Sequence, residues 1–322
     1  MKGIQIISAR SSVDFIAMRW LALSLSLVIL LGSCVLLATK GLNFGIDFSG
    51  GTLVEIRTPE RPDLGALRVA LNDLDLGAIS IQEFGAPDDL LVRMPQQIGG
   101  PEAEKLAIES LRAALDMQYE GQNIDYRRTE FVGPQVGEEL KQQGIMAVLF
   151  SLAGILIYVW FRFEWQFGVA AIVALVHDAI ATVGLFALTQ MEFNLSTVAA
   201  ILMIAGYSIN DTVVVFDRIR ENLRKYKKKL IGDVFNDSVN QMLARTVMTS
   251  VTTLLALVAL YLFVGEVIRG FVYALIFGIF IGTYSSVFVA APVLMFMKVK
   301  RSSFDEGDED ASAATHVSVG QG

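Results

Sequence analysis

The sequence predicts a polytopic α-helical membrane protein: six transmembrane helices, with one small ferredoxin-like α+β domain inserted after the first. Three observations carry this. Of 322 residues, 53% are hydrophobic and only 18% charged, a balance too apolar for an ordinary soluble domain of this length. The apolar residues gather into runs near the length that crosses a hydrocarbon core of about 30 Å. Between residues 40 and 144 no such run occurs, and short strand-like and helix-like patterns replace it.

The first apolar run, residues 20–38, follows a boundary segment in which Asp14, Phe15, Ile16, Met18, Arg19 and Trp20 mix charged and apolar types, as an interfacial lead-in does. Residues 1–19 are read as a cytoplasmic N-terminus. Leu31-Gly32-Ser33-Cys34 loosely matches a lipoprotein processing site, but the apolar run continues through Val35, Leu36 and Leu37 where a mature lipoprotein turns polar, so the segment reads as an uncleaved span. Cys34 is the single cysteine, which excludes a disulfide framework or cysteine-based metal site within one chain.

Residues 40–144 form the extracytoplasmic domain. Residues 52–57 are strand-like, and residues 63–74 put Leu64, Leu67, Leu71 and Leu74 on one helical face after Pro62. Residues 78–84 and 90–94 read as paired strands across a Gly-Ala-Pro-Asp turn. Pro101 opens a second helix with Leu106, Ala107, Leu111, Ala114 and Leu115 inward, and residues 123–132 supply the last strand. The order strand, helix, strand, strand, helix, strand is the split βαβ, or ferredoxin-like, arrangement. That fold hosts many activities, and the domain carries no cluster of His, Cys or paired acids suited to catalysis.

Five further spans follow within residues 145–297, at 145–161, 168–188, 195–216, 247–264 and 271–297. The connection 217–245 holds Arg218, Arg220, Arg224, Lys225, Lys227, Lys228 and Lys229, whereas 189–196 has no basic residue. By the positive-inside rule the basic connection is cytoplasmic, and an even number of spans puts both termini on that side with Lys2, Arg10, Lys300 and Arg301. The domain 40–144 then lies outside. Residues 298–322, acidic and with almost nothing to bury, read as a disordered cytoplasmic tail, in which His316 carries no meaning. The net charge of −7 comes from this tail and the outer domain, so no nucleic-acid footprint exists.

Asp211 is the first candidate for function. A carboxylate at a helix centre costs about 2.5 to 3.5 kcal/mol on insertion scales, so such residues face protein or water and mark a pathway. Asn210 adjoins it, and Gly206, Tyr207, Ser208 and Thr212 give the helix a face that lipid disfavours. Arg245, just before the fifth span, is its candidate partner, followed by Thr246, Thr249, Ser250, Thr252 and Thr253. An acid set between burial and a neighbouring arginine can change its protonation as helices rearrange, which a proton carrier requires. The simpler readings stay open: Asp211 reaching water at the headgroups, Arg245 snorkelling to phosphates, the threonines bonding their own helix. His177 and Asp178, in a third span with small residues Ala170, Ala174, Ala181 and Gly184, form the secondary site and must be partnered if buried. Gly278 and Gly282 read as a packing pair.

These residues resemble the SecF family, the six-span subunits of the bacterial SecDF protein-export complex, within the resistance-nodulation-division (RND) superfamily. The likeness rests on Gly45-Ile46-Asp47-Phe48-Ser49-Gly50-Gly51-Thr52 after the first span, Val132-Gly133-Pro134-Gln135-Val136-Gly137 before the second, His177-Asp178, the run from Gly206 to Asn222, and Arg245-Thr246 with Thr249-Ser250. The resemblance implies one six-helix half of an RND-type transporter in the inner membrane. That half works with SecD to use the proton-motive force for late steps of preprotein translocation through SecYEG, with Asp211 and Arg245 on the proton pathway. It implies SecD, the SecYEG translocon, YajC, the moving preprotein and the lipid bilayer as partners, with no catalytic residue, metal or cofactor. Gly45, Asp47, Gly50 and Gly51 are its structural motif. Two alternatives stand beside it: an assembly subunit that moves no protons, and half of a small-molecule or lipid exporter, against which the small outer domain speaks.

Overall fold

The computed structural model describes residues 13–119, 122–263, 266–297 and 299. The expectations for Lys2 and Arg10 at one end, for Lys300 and Arg301, and for the tail 298–322 with His316 lie outside the described residues, except that Val299 is buried against the bundle core where the tail is expected to have almost nothing to bury.

Helix α1 (Arg19–Thr39) leads through the short α2 (Ile46–Ser49) into β1 (Gly51–Arg57). Then come α3 (Leu64–Asn72), β2 (Ser80–Phe84), β3 (Ala86–Met94), α4 (Pro101–Gln118) and β4 (Asp125–Val132). The sheet order is β2-β3-β1-β4 with every pair antiparallel, which is the ferredoxin-like arrangement. Asp63 starts α3 by accepting from the Gly65 and Ala66 amides. Pro101 and the first-turn acids Glu102 and Glu104 suit the N-terminus of α4. Strand alternation sends Val54 and Ile56 of β1 to one face, where they meet Leu67 and Leu71 of α3 and Leu111 and Leu115 of α4. Leu106, expected inward on α4, is instead exposed: it lies about 100° round the helix from Ala107, and Ile108 packs on the core in its place. The other face turns Leu53 and Leu91 onto Ile46, at the junction with the membrane helices.

The hairpin is tighter than its sequence suggests. Gly85 turns the chain at φ +87°, so Ala86, Pro87 and Asp88 already belong to β3. Only glycine adopts that angle without strain. Pro87 precedes Asp89, where pairing with β1 ends, so its missing N–H leaves no ladder bond unmade there.

The remaining spans are α5 (Pro134–Arg162), α6 (Trp165–Thr189), α7 (Leu195–Lys225), α8 (Ile231–Phe263) and α9 (Glu266–Ser285). The last continues through a π-helical turn (Ser286–Ala290) into α10 (Ala291–Phe296). Six helices among the described residues are long and apolar enough to cross a membrane. Two boundaries differ from the hydropathy reading. Helix α5 begins at Pro134, three turns before the apolar run, so it leaves the sheet domain as a rigid rod. The basic connection 217–245 is almost all helix, with only residues 226–230 between α7 and α8. Its charges occupy one face, while Ile219 and Leu223 of α7 and Val234, Phe235 and Val239 of α8 are buried on the other. Asn222 donates to Ser238 Oγ at 2.9 Å across this pair. Phe15 and Ile16 join the same cluster, and Asn236 and Asn240 accept from the Phe15 and Val13 amides at 2.8 and 3.0 Å.

Helices α6, α7 and α9 form the centre of the bundle, α7 packing most extensively on α9. Close approach needs missing side chains. A Cβ on Gly278 would overlap Ile204, and one on Gly282 would come within 3.1 Å of Ser208 Cβ, so the glycine pair seats one turn of α7. A Cβ on Gly184 would overlap Ser33 and the α1 backbone, whereas one on Gly206 meets nothing within 4 Å.

Gly184→Leu should therefore lower the thermal unfolding midpoint of the purified chain in detergent, at a cost of about 1–3 kcal/mol or more from overpacking. Gly206→Leu should leave that midpoint unchanged.

Candidate intramembrane site

Asp178 lies at the middle of α6 and is 1% exposed. Its Oδ2 accepts hydrogen bonds from Ser208 of α7 at 2.6 Å and Ser285 of α9 at 2.8 Å, and its Oδ1 lies 3.0 Å from His177 Nδ1. One carboxylate thus joins the three central helices, and both its oxygens are used. The His177 ring stands 6.1 Å from that of Tyr284, whose hydroxyl donates to the Ala22 carbonyl of α1 at 2.7 Å and lies 3.0 Å from Ser26 Oγ. His177 Nε2 is buried with no hydrogen-bond partner among the described residues. Ser286 Oγ lies 3.0 Å from Thr212 Oγ1 and donates to the Gly282 carbonyl at 2.8 Å. These serines sit where α9 passes into the π turn. That turn widens the helix just before Pro292, which has no N–H to continue the ladder and whose ring crowds the preceding turn.

Asp211 is arranged differently. It is 4% exposed, one turn beyond Ser208, and among the described residues its buried Oδ2 has no hydrogen-bond partner. Arg245 is the cation whose charge reaches it, yet among the described residues no ion pair within 4 Å joins them, and Arg245 is itself exposed. Thr246, beside Arg245, is buried with its hydroxyl unbonded. Thr249, Thr252 and Thr253 bond their own helix, while Ser250 crosses to Thr283 at 2.7 Å and Tyr207 reaches Thr253 at 3.3 Å. Asn210 faces outward on α7 with Gly206 and Met203, a stripe that no other described residue covers.

The glycine-rich motif sits elsewhere, at the joint between the sheet domain and the bundle. The Gly45 amide donates to the Phe193 carbonyl at 2.9 Å, and a Cβ there would overlap the Glu192 carboxylate. Asp47 Oδ2 accepts from the Leu195 amide at 2.9 Å, adding a carboxylate to the α7 N-terminus that Asn194 and Thr197 already close with a capping box. Gly50 and Gly51 have φ of +68° and +110°, and a Cβ on Gly51 would stand 2.5 Å from the Met94 carbonyl. Arg93 of β3 forms an ion pair with Glu192 and donates to Asn43, which in turn donates to the Gln190 carbonyl. Burial, the largest influence, raises the Glu192 pKa above the ordinary glutamate value. Arg93 opposes this, and Asp47 and Glu130 add to it.

Sequence reasoning missed Tyr284, Ser285, Ser286, Arg93 and Glu192. The Tyr-Ser-Ser run inside an apolar span was a usable signal, since three adjacent polar groups in hydrocarbon need partners. Arg93 and Glu192 are 99 residues apart and share no local pattern.

Residues 113–300 match the family described as protein export membrane protein SecD/SecF, C-terminal, and residues 35–58, which hold the glycine-rich run, match the SecD/SecF GG motif. The protein translocase subunit SecF of Rickettsia bellii (strain OSU 85-389) is 46% identical over 290 residues, 89% of this chain and 94% of the relative. That of Rickettsia felis is 46% identical over 283 residues, 87% and 90% of the two chains. The crystal structure of SecDF, a translocon-associated membrane protein from Thermus thermophilus, superposes with a TM-score of 0.82 at 37% identity. The match covers 91% of this chain and 40% of that one. SecDF in a super-membrane-facing form gives 0.66 at 35% identity, over 92% and 40%. The chain therefore spans less than half of the SecDF chain.

The two acids should separate in a stability measurement. Asp178→Ala strands the Ser208 hydroxyl and the His177 ring nitrogen and leaves Ser285 only the Gly282 carbonyl, at about 1–3 kcal/mol for each buried group left unsatisfied, and should sharply lower the unfolding midpoint. Asp211→Asn removes no hydrogen bond and should leave it unchanged or raised. Since the Glu192 pKa is raised on folding, its contribution is full below the ordinary glutamate value and is lost as pH rises through the folded value. Stability of the chain should accordingly fall across the pH range just above the usual glutamate value, and Glu192→Gln should flatten that slope.

Proposed function

The chain belongs to the SecD/SecF family of protein-export membrane proteins, and from this premise we propose that it is the SecF-like half of a SecDF assembly, using the proton-motive force in late preprotein translocation. The observation that carries the proton role is the contrast between its two intramembrane acids. Asp178 is fully bonded and holds helices together. Asp211 is buried with a free oxygen, near an exposed arginine that does not touch it. A carboxylate kept out of water without a partner is costly unless it exchanges a proton. At a potential of order 150 mV, each charge crossing supplies about 3.5 kcal/mol, enough to bias two packings of a helix bundle.

The route to the outer domain runs along α7 as well as through α1 and α5. Asp211 and Leu195 are sixteen residues apart on one helix, about 24 Å along its axis, and the Leu195 amide is bonded to Asp47 of the glycine-rich joint. In this reading ionised Asp211 is drawn toward Arg245 and protonated Asp211 releases it, so that α7 shifts and the joint moves with it. The uncovered stripe of Met203, Gly206 and Asn210 is where a helix of SecD docks, about a pseudo-two-fold axis normal to the membrane. SecYEG, YajC and the preprotein are the remaining partners. The location is the bacterial inner membrane, with both termini and the α7–α8 connection in the cytoplasm and the sheet domain outside, supported by the basic residues near that connection. The competing reading, an assembly subunit that moves no protons, has the Asp178 hub in its favour.

In vesicles with an imposed proton gradient, Asp211→Asn should leave the complex assembled and abolish gradient-stimulated export, with Asp211→Glu retaining a part. Stimulation that survives in the Asn variant would make Asp211 structural and favour the competing reading. Sidedness is checked by an impermeant thiol reagent in a Cys34→Ser background: Gln97→Cys and Lys227→Cys should label from opposite faces.

A further inference from the structure

Between α5, α6 and the start of α7 lies a cleft of about 340 Å3, roofed by Phe44, Phe48 and Phe193 and walled by Val148, Val183 and Ile201. We propose that this cleft is a binding site for one acyl chain of an anionic phospholipid from the leaflet nearest the sheet domain, with the lipid phosphate held by Lys141. Size and chemistry exclude the other fillings. An apolar cavity of about 150 Å3 stays dry and accepts hydrocarbon-like guests. This one is more than twice that volume, and among the described residues Lys141 is the single charged one lining it, so a water cluster would find too few partners. Left empty, the walls would forfeit dispersion contacts over their whole surface. Hydrocarbon is the filling that costs nothing to supply, because the cleft opens toward the bilayer past Ile145 and Leu149, each 56% exposed.

The position of Lys141 selects the headgroup. It stands one turn before Ile145, where α5 changes from polar to apolar, and hence at the level of lipid phosphates. Its ammonium lies 5.8 Å from the centre of the Phe44 ring and 3.8 Å from Glu138 on its own helix, an exposed pair that leaves the charge available. From Lys141 to Val148 along α5 is about 10 Å, so a chain whose phosphate rests on Lys141 runs down the cleft under the aromatic roof. Those aromatic residues also belong to the joint beside Gly45 and Glu192, which makes the lipid a packed part of that joint. The inference stands whether or not Asp211 carries protons.

The test uses the full chain in phosphatidylcholine nanodiscs containing a small fraction of phosphatidylglycerol with a photoactivatable diazirine in one acyl chain. Adducts should concentrate on Ile145, Val148 and Val183 relative to Leu255, an ordinary lipid-facing position of α8. Val148→Trp should remove them. Lys141→Gln should lower phosphatidylglycerol adducts about five-fold, the weight of a single lysine beside an anionic headgroup, and leave those from a matched phosphatidylcholine probe unchanged. Adducts no denser in the cleft than at Leu255, or undiminished in Lys141→Gln, would overturn the proposal. So would a cleft cross-linked to the partner subunit in the assembled complex instead of to lipid. Asp211→Asn should not alter the labelling, which separates failure here from failure of the proton reading.

Discussion

The membrane bundle depends on the Asp178 carboxylate. In hydrocarbon there is no water to accept what a helix leaves unbonded, so a buried acid must be satisfied by neighbouring helices. Ser208 of α7 and Ser285 of α9 do this at one oxygen, Oδ2, and their approach is possible because Gly278 and Gly282 leave room for α7. Polar specificity and close packing are then one constraint, because the hydroxyls reach Asp178 only at a helix separation the glycines permit. His177 and Tyr284 extend the constraint to α1, which explains how a helix with few buried residues of its own is held in place.

A second constraint operates at the membrane surface. The sheet domain meets the bundle through Gly45, Asp47 and the Arg93–Glu192 ion pair, and the two positive-φ glycines turn the chain into β1 with the Met94 carbonyl almost in contact. The glycines allow backbone to pack on backbone, and Asp47 uses that closeness to bond the first amide of α7, that of Leu195. Helix α7 thus carries Asp211 at its middle and the joint at its end.

Much of this was legible in the residues. The six spans, the βαββαβ order, the inward face of α3 and, Leu106 excepted, that of α4 follow from local periodicity, which reports burial whenever one face meets water and the other a core. The helical extension of α7 and α8 was hidden because its basic face dominates the composition, while the buried stripe of Ile219, Leu223, Val234 and Phe235 straddles a five-residue turn. Asp178 and Asp211 were both visible as acids in hydrocarbon, and His177, Ser208 and Arg245 as polar neighbours.

What the sequence determined by itself is the kind of object: a chain too apolar for water, cut into span-length helices, with a small α+β domain between two of them and charges placed at positions where lipid alone would reject them. Those properties are sums over neighbouring residues. Tertiary structure alone decided which acid is satisfied. Asp178 and Asp211 look equally anomalous along the chain, but the partners of Asp178 come from residues 30 and 107 positions away, and Asp211 Oδ2 is left unbonded by the same packing. Hydrogen bonding across helices depends on distances that no local pattern encodes, and so the division between an acid bonded to two other helices and one left without a hydrogen bond exists only once the helices have met.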